Sequence, residues 1–241
     1  MGNDKTVVNA ARVSFDMDYL VDSSSITAKD ISLIQFLARG CSSKDWDDLV
    51  KKIGVAASLK HTDELQELLT YIKRMPLHWT PFGHCVITLR ETLPIFIARQ
   101  RTTHHVGIVY NEVSRRYVDD TPQIYTFNKF RSRPSQSIKQ GSGETHPRSQ
   151  EWVIKYQRAV MDLKQLYNDM IEDDIAPEQA RAVLPMSMMT TYWVTGSLYS
   201  FANAYNARSD SHAQKEIQAV AQDWKRLIEP LYPIAWKSLT E

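Results

Sequence analysis

Cysteine is nearly absent from this 241-residue chain. Cys41 and Cys85 stand far apart and form neither a metal-ligand nor a redox spacing, which excludes a disulfide scaffold and fits a reducing, cytoplasmic compartment. An excess of one charge is also missing. The 29 Lys and Arg residues against 28 Asp and Glu leave a net charge of +1, so no broad basic surface for a nucleic-acid polymer is expected. Long apolar runs are lacking too. No window holds the roughly 18 consecutive apolar residues of a membrane span, and the opening MGNDKTVV has no apolar signal-peptide core. No membrane partner is expected. What the chain does have is a 43% apolar content, enough for one sizeable core, and a single domain over residues 1–241 is the simplest count.

Apolar spacing predicts helices over residues 5–14, 28–39, 44–53 (with Ser43 as N-cap), 63–74 (stopped by Pro76) and 152–170. Another opens at Pro177 and carries Arg181, and a last one runs over 212–227. Pro94 fits the first turn of a helix through IFIARQ. β-Rich segments at 85–89, 123–127 and 188–195 read as strands. Residues 131–149, rich in Ser, Pro, Gly, Arg and Gln, read as a flexible loop. No repeat is visible, and the mixed order of helices and strands argues an α+β fold.

Two polar runs stand out, YNEVSRRY (Tyr110–Tyr117) and NARSDSHAQ (Asn206–Gln214). Each packs Arg, Ser, Asn and an acid into the length of one or two helical turns, with no apolar period to serve a core. Arg offers a planar two-pronged donor to phosphate. Ser, Asn and Glu match the carbonyl and N–H groups of a base. For any one Arg the ordinary reading is a solvated surface charge, and for Ser114 a helix cap. Glu112 and Ser114, two apart, would not share a helix face, so a turn or contacts to different parts of one ligand are expected.

These runs carry a resemblance. With VVNAARVSF (Val7–Phe15), TPFGH (Thr80–His84), PIFIARQ (Pro94–Gln100) and ARAVLP (Ala180–Pro185), they occur in the order found in flavin-dependent thymidylate synthases. The chain resembles a divergent member of that family. The family signature is Arg-His-Arg followed by Ser-any-Arg, and its second half is here as Ser114-Arg115-Arg116. The resemblance implies mixed helices around a small, mainly antiparallel sheet, with residues 25–60 as a helical insertion. It implies a dUMP site of Gln100, Glu112, Ser114, Arg115, Arg116, Arg181 and Arg208. It implies an FAD site of His78, Thr80, Arg101, Thr103, His104, His105, Asn203 and His212, and catalytic roles for Ser114, Arg208, His104 and His105. It implies a homotetramer whose active sites are each built from several subunits.

Departures from the family pattern cluster on the flavin side. In register with ARQ and YNE, Arg-His-Arg falls on Thr103-His104-His105 or on His104-His105-Val106, and both arginines are lost. Gly83 stands where many relatives have Glu, and Ser197 and Tyr199 where Asn and Arg are expected. Adjacent His104 and His105 point apart on a helix, so no metal site is expected.

The implied reaction moves a one-carbon unit from 5,10-methylene-tetrahydrofolate to C5 of dUMP, with reduced FAD as hydride donor and NADPH as reductant, giving dTMP. Two alternatives stay open. Water in place of hydride would make the chain a hydroxymethylase of dUMP or dCMP. Loss of the cofactor residues would leave a non-catalytic nucleotide-binding relative.

Overall fold

Asn3 starts the first helix. Its side chain accepts from the Lys5 N–H at 2.9 Å, while its own N–H donates to the Thr6 hydroxyl at 3.2 Å, a reciprocal capping box. The structure, a computed structural model, describes residues 2–13, 25–75, 77–134 and 141–241. Its elements in chain order are α1 (Asp4–Arg12), α2 (Ala28–Arg39), α3 (Ser43–Ser58), α4 (Thr62–Arg74), α5 (Thr80–Gly83), β1 (Val86–Pro94), α6 (Ile95–Arg101), β2 (Ile108–Glu112), α7 (Ser149–Glu172), α8 (Pro177–Ala180), a 3-10 turn (Arg181–Val183), β3 (Met189–Ser197), α9 (Leu198–Arg208), α10 (Lys215–Ile228) and α11 (Pro233–Thr240). The fold is α+β, helices with a three-stranded antiparallel sheet of order β1-β3-β2.

The chain divides into two compact units. The first holds residues 1–87, 197–205 and 223–241. Its core includes Val7, Val8, Ile34, Phe82, Cys85, Leu198, Phe201, Trp224 and Trp236. Buried Asp4 accepts from the backbone N–H groups of Ile234 and Ala235 at 3.0 and 2.9 Å and so caps α11. Asp30 closes the capping box of α2 with Thr27 and also takes Lys5 at 3.0 Å and Arg12 at 2.6 Å. The helix then stops at Gly40, whose φ of 72° a Cβ would disfavour. The expected insertion at 25–60 holds α2 and α3. The cap of α3 is Ser42, one residue before the expected Ser43, because the Ser42 hydroxyl is the one that accepts from the Asp45 N–H. Pro76 lies outside the described residues.

The second unit holds residues 88–196 and 206–222, including most of the sheet. β2 and β3 pair in the register Ile108↔Gly196 to Glu112↔Tyr192. Thr88 faces Thr195 at 3.0 Å and Thr92 faces Thr191 at 2.9 Å, so one index rises by four as the other falls by four, the mark of antiparallel β1 and β3.

Several expectations shift. Residues 123–127 form no strand beyond one bridge, Ile124↔Met188. Tyr125 and Phe127 instead join an aromatic cluster with Phe96, Phe130 and Tyr156, and the Tyr156 hydroxyl donates to the Tyr125 carbonyl. Strand β1 runs on to Pro94, which caps α6 in an extended conformation instead of sitting in its first turn. Arg181 falls on the 3-10 turn after α8. Tyr110–Glu112 is strand, where the sequence assigns no regular element. α9 escaped prediction because Leu198, Ser200, Phe201, Ala202, Ala204 and Tyr205 are all buried, leaving no apolar stripe to detect. In the loop at 131–149, Arg131 bridges Thr145 and pairs with Glu216 at 2.8 Å. Residues 135–140 of that loop lie outside the described residues.

Candidate active site

A cavity of about 720 Å³ opens in the second unit, within the range of small-molecule sites. Its lining includes Ile95, Glu112, Ser114, Arg115, Arg116, Glu178, Arg181, Met188 and Thr190. Five of the seven residues expected at the nucleotide therefore meet there. β2 explains how. Residues two apart share one face of a strand, and the extended pairing continues to Val113, whose N–H donates to the Thr191 carbonyl at 3.0 Å. The spacing of Glu112 and Ser114, wrong for a helix, suits this geometry.

The three arginines differ. Arg115 is tied to Asp120, at 2.5 Å to its carbonyl and 2.7 Å to its carboxylate, so its charge is largely answered within the chain. Among the described residues the Arg116 guanidinium meets the Ser114 hydroxyl, at 3.2 Å, and the Tyr117 ring, 5.1 Å from its centroid. Arg181 donates to the Glu178 carbonyl at 3.2 Å. Among the described residues no carboxylate pairs with Arg116 or Arg181, which leaves both charges for an anion. Ser114 accepts from Arg116, which leaves its hydroxyl proton to donate elsewhere. Glu112 is oriented by Thr190, whose hydroxyl donates to Oε1 at 2.5 Å.

Gln100 and Arg208 do not line that cavity. They form a second cluster with the loop 102–107, which follows α6 and ends at Gly107 with a φ of 69°. Arg208 donates through Nε to His104 Nε2 at 2.8 Å and through one Nη to the Thr103 hydroxyl at 3.0 Å and the Gln100 carbonyl at 3.2 Å. Its other Nη has no partner among the described residues. The Gln100 amide donates to Gln214 at 2.5 Å. His105 is exposed. Burial first, then the charges of Arg208, Arg101 and His105, push His104 below the ordinary histidine range.

Arg101 is not at the surface with its neighbours. It is fully buried and pairs with Glu91 at 3.2 Å. Nothing in its composition separated it from Arg99, but the inward phase of Ile87, Leu89 and Glu91 along β1 was a signal that a buried acid needed a cation. Thr190, on β3, carried no such signal.

Of the expected flavin residues, His78, Thr80 and Asn203 belong to the first unit, and Arg101, Thr103, His104, His105 and His212 to the second. The His78 ring stacks on Phe36 at 5.8 Å. Thr80 opens α5 with no side-chain cap bond, and Asn203 is exposed on α9. His212 is held by Asp210, which accepts from its backbone N–H at 2.7 Å and lies 2.9 Å from its ring Nδ1. Neither cysteine is a thiolate at neutral pH. Burial, with the Asp4 charge adding, pushes Cys85 up to about 12, and burial followed by the Asp45 charge raises Cys41. Among the described residues no three His, Cys, Asp or Glu are grouped to hold a metal ion, and no helix is long and apolar enough to cross a membrane.

The comparisons with known proteins agree on one family. The family profile described as "Thymidylate synthase complementing protein" matches residues 1–234. A flavin-dependent thymidylate synthase of Thermotoga neapolitana is 31% identical over 221 residues, covering 92% of this chain and 78% of the relative. One from Dictyostelium discoideum is 27% identical over 192 residues, covering 79% of this chain and 63% of the relative. The crystal structure of PolB from Streptomyces cacaoi, described as a UMP/dUMP methylase bound with 5-Br dUMP, shares the fold with a TM-score of 0.74 at 23% identity, over 99% of this chain and 91% of that one. With its motifs in order along nearly the whole length, the chain belongs to the flavin-dependent thymidylate synthase family.

Proposed function

We propose that this chain transfers a one-carbon unit from 5,10-methylene-tetrahydrofolate to C5 of dUMP, with reduced FAD as hydride donor, NADPH as reductant and dTMP as product. The observation that carries this reading is the cavity in which Arg116 and Arg181 keep unanswered charges beside Ser114 and an oriented Glu112. Arg116 and Arg181 bind the phosphate, and Ser114 donates to it or to the base. Glu112 accepts from the ring N–H. Arg208, steadied by His104 and Thr103, offers its remaining Nη to a pyrimidine oxygen and so orients the ring with C5 toward the one-carbon donor. Gln100 stands beside it. The two clusters serve one nucleotide if a second copy supplies one of them, as in a homotetramer with shared sites.

The donors of the second unit that could meet a flavin are hydroxyl and imidazole groups, with no guanidinium among them. The loop 102–107 offers Thr103 and His105 but no arginine, and Arg101 is withdrawn into its pair with Glu91. His212 adds a further imidazole in the same unit. When bound, FAD supplies the hydride. No thiolate takes part, since Cys85 stays protonated.

The test is an absorbance spectrum of the purified protein, then mass analysis of dUMP incubated with methylene-tetrahydrofolate, with and without FAD and NADPH. Flavin bands and a product heavier by a methyl group, made only with NADPH, support the reading. A hydroxymethyl product without NADPH would replace it with hydroxymethylation. Colourless protein that binds dUMP without turnover would replace it with nucleotide binding alone.

A further inference from the structure

Glu91 lies on the covered face of β1, 7% exposed, opposite a guanidinium that is fully buried. The Nε of Arg101 stands 3.2 and 3.4 Å from its two oxygens, and the Tyr192 hydroxyl donates to Oε2 at 2.8 Å. Arg101 Nη1 donates to the Tyr110 hydroxyl at 2.9 Å. That hydroxyl donates in turn to the His104 carbonyl at 2.7 Å, with the Arg101 carbonyl 3.3 Å away. The guanidinium sits 5.5 Å from the Tyr110 ring centroid, and Tyr110 meets Tyr192 edge-on at 5.8 Å.

A buried ion pair is a poor device for stability alone, since apolar residues of the same volume commonly do as well or better. What apolar residues cannot supply is direction. Here the directed bonds run from Glu91 to Arg101 to Tyr110 and end on His104, the residue that accepts from Arg208.

We propose that Glu91 is a positioning residue of the active site, acting through Arg101 and Tyr110 to hold the loop 102–107 so that His104 meets Arg208. The kinetic consequence rests on the function proposed above; the structural one does not. Glu91 itself touches no substrate. The chain of bonds also links the two clusters through β2, which carries Tyr110 toward His104 and Glu112 toward the cavity.

The deciding variant is Tyr110→Phe, which keeps the ring and the buried ion pair and removes only the hydroxyl. Protein with 15N-labelled histidine reports the imidazole nitrogens directly, and His104→Gln assigns the His104 signals by their loss. The expected result is that Tyr110→Phe shifts the His104 Nε2 signal away from that of a hydrogen-bonded acceptor, and that turnover of dUMP falls about fivefold, the equivalent of one lost hydrogen bond. Glu91→Gln moves the same signal in the same direction. Should Glu91→Gln fail to fold, Tyr110→Phe decides alone. His104 signals that stay at their wild-type positions in Tyr110→Phe overturn the proposal. Shifted signals with unchanged kcat and KM overturn it as well, because the loop would then be held for no catalytic end. Wild-type protein that neither binds nor converts dUMP sinks the functional reading instead, and the nitrogen signals still settle whether Glu91 positions His104.

Discussion

Arg208 donates through Nε to Nε2 of His104 at 2.8 Å. Arginine keeps its proton at any working pH, so His104 must offer a lone pair there and carry its own proton on Nδ1. His104 therefore meets Arg208 as a neutral imidazole and fixes the direction of its guanidinium.

The first prediction is a pH dependence. Burial and the neighbouring charges of Arg208, Arg101 and His105 depress the folded pKa of His104 below the ordinary value of about 6.5. Below the depressed value His104 is protonated, cannot accept, and repels Arg208. Nucleotide affinity should hold above that value and fall as pH drops through it. Stability has the same sign. Between about 6.5 and the folded value the unfolded chain binds the proton more readily, so stability declines as pH falls across that window. An NMR titration of His104 beside calorimetry with dUMP measures both, and a His104 that titrates above the ordinary value contradicts the assignment.

Arg116→Ala and Arg208→Ala should each weaken dUMP binding by about 2 kcal/mol, the range of a charge-assisted hydrogen bond. Arg208→Lys should lose nearly as much. Arg208 uses Nε and Nη together on His104, Thr103 and Gln100, a fork that an ammonium does not reproduce. Isothermal titration decides, and unchanged affinity in Arg116→Ala and Arg208→Ala rejects the nucleotide site. Arg115→Ala should weaken binding less, because Asp120 already answers that charge.

His105→Ala should lower flavin affinity and turnover while leaving dUMP affinity within about twofold, since surface substitutions away from a ligand change little. Flavin fluorescence quenching and nucleotide calorimetry separate the two. The reverse pattern would move His105 to the nucleotide side.

Asp30→Asn should destabilise the protein by roughly 3 kcal/mol, since it leaves the buried Lys5 ammonium without its carboxylate. The wild-type carboxyl also sets an acid limit. Burial alone would raise its pKa, but the Thr27 N–H and hydroxyl and the Lys5 charge outweigh it and pull it down to about 2. Its contribution is present above the unfolded value of about 3.9 and is lost as pH falls toward 2. Urea unfolding of both proteins from pH 7 down into that window reads the difference, which should shrink as Asp30 protonates.

Much of the candidate site was legible because its residues are local in the chain. Glu112, Ser114, Arg115 and Arg116 lie within five consecutive residues, and any extended or turning path keeps them close. Arg181 joined them through motif order. Helices with one apolar stripe, α2 and α7 among them, were equally open to reading, since a 3.6-residue period appears in composition alone. β2 escapes assignment from the sequence because polar residues crowd its outer end. α9 was missed because its buried residues, Ser200 and three small or polar-tipped ones among them, trace no clear apolar stripe.

The sequence by itself determined the family, the α+β class and the candidate residues proposed to meet a nucleotide, because motifs and periodicities are properties of neighbours along the chain. Only the tertiary structure decided which partners each arginine finds. Arg115 is answered by Asp120, Arg101 is buried on Glu91, Arg208 is aimed by His104, and Arg116 and Arg181 are left with charge for an anion. In sequence these five are identical cations. Their difference lies in which acids and carbonyls fold against them, and electrostatic partners within a few ångströms, often contributed by distant segments, set what each charge can still do.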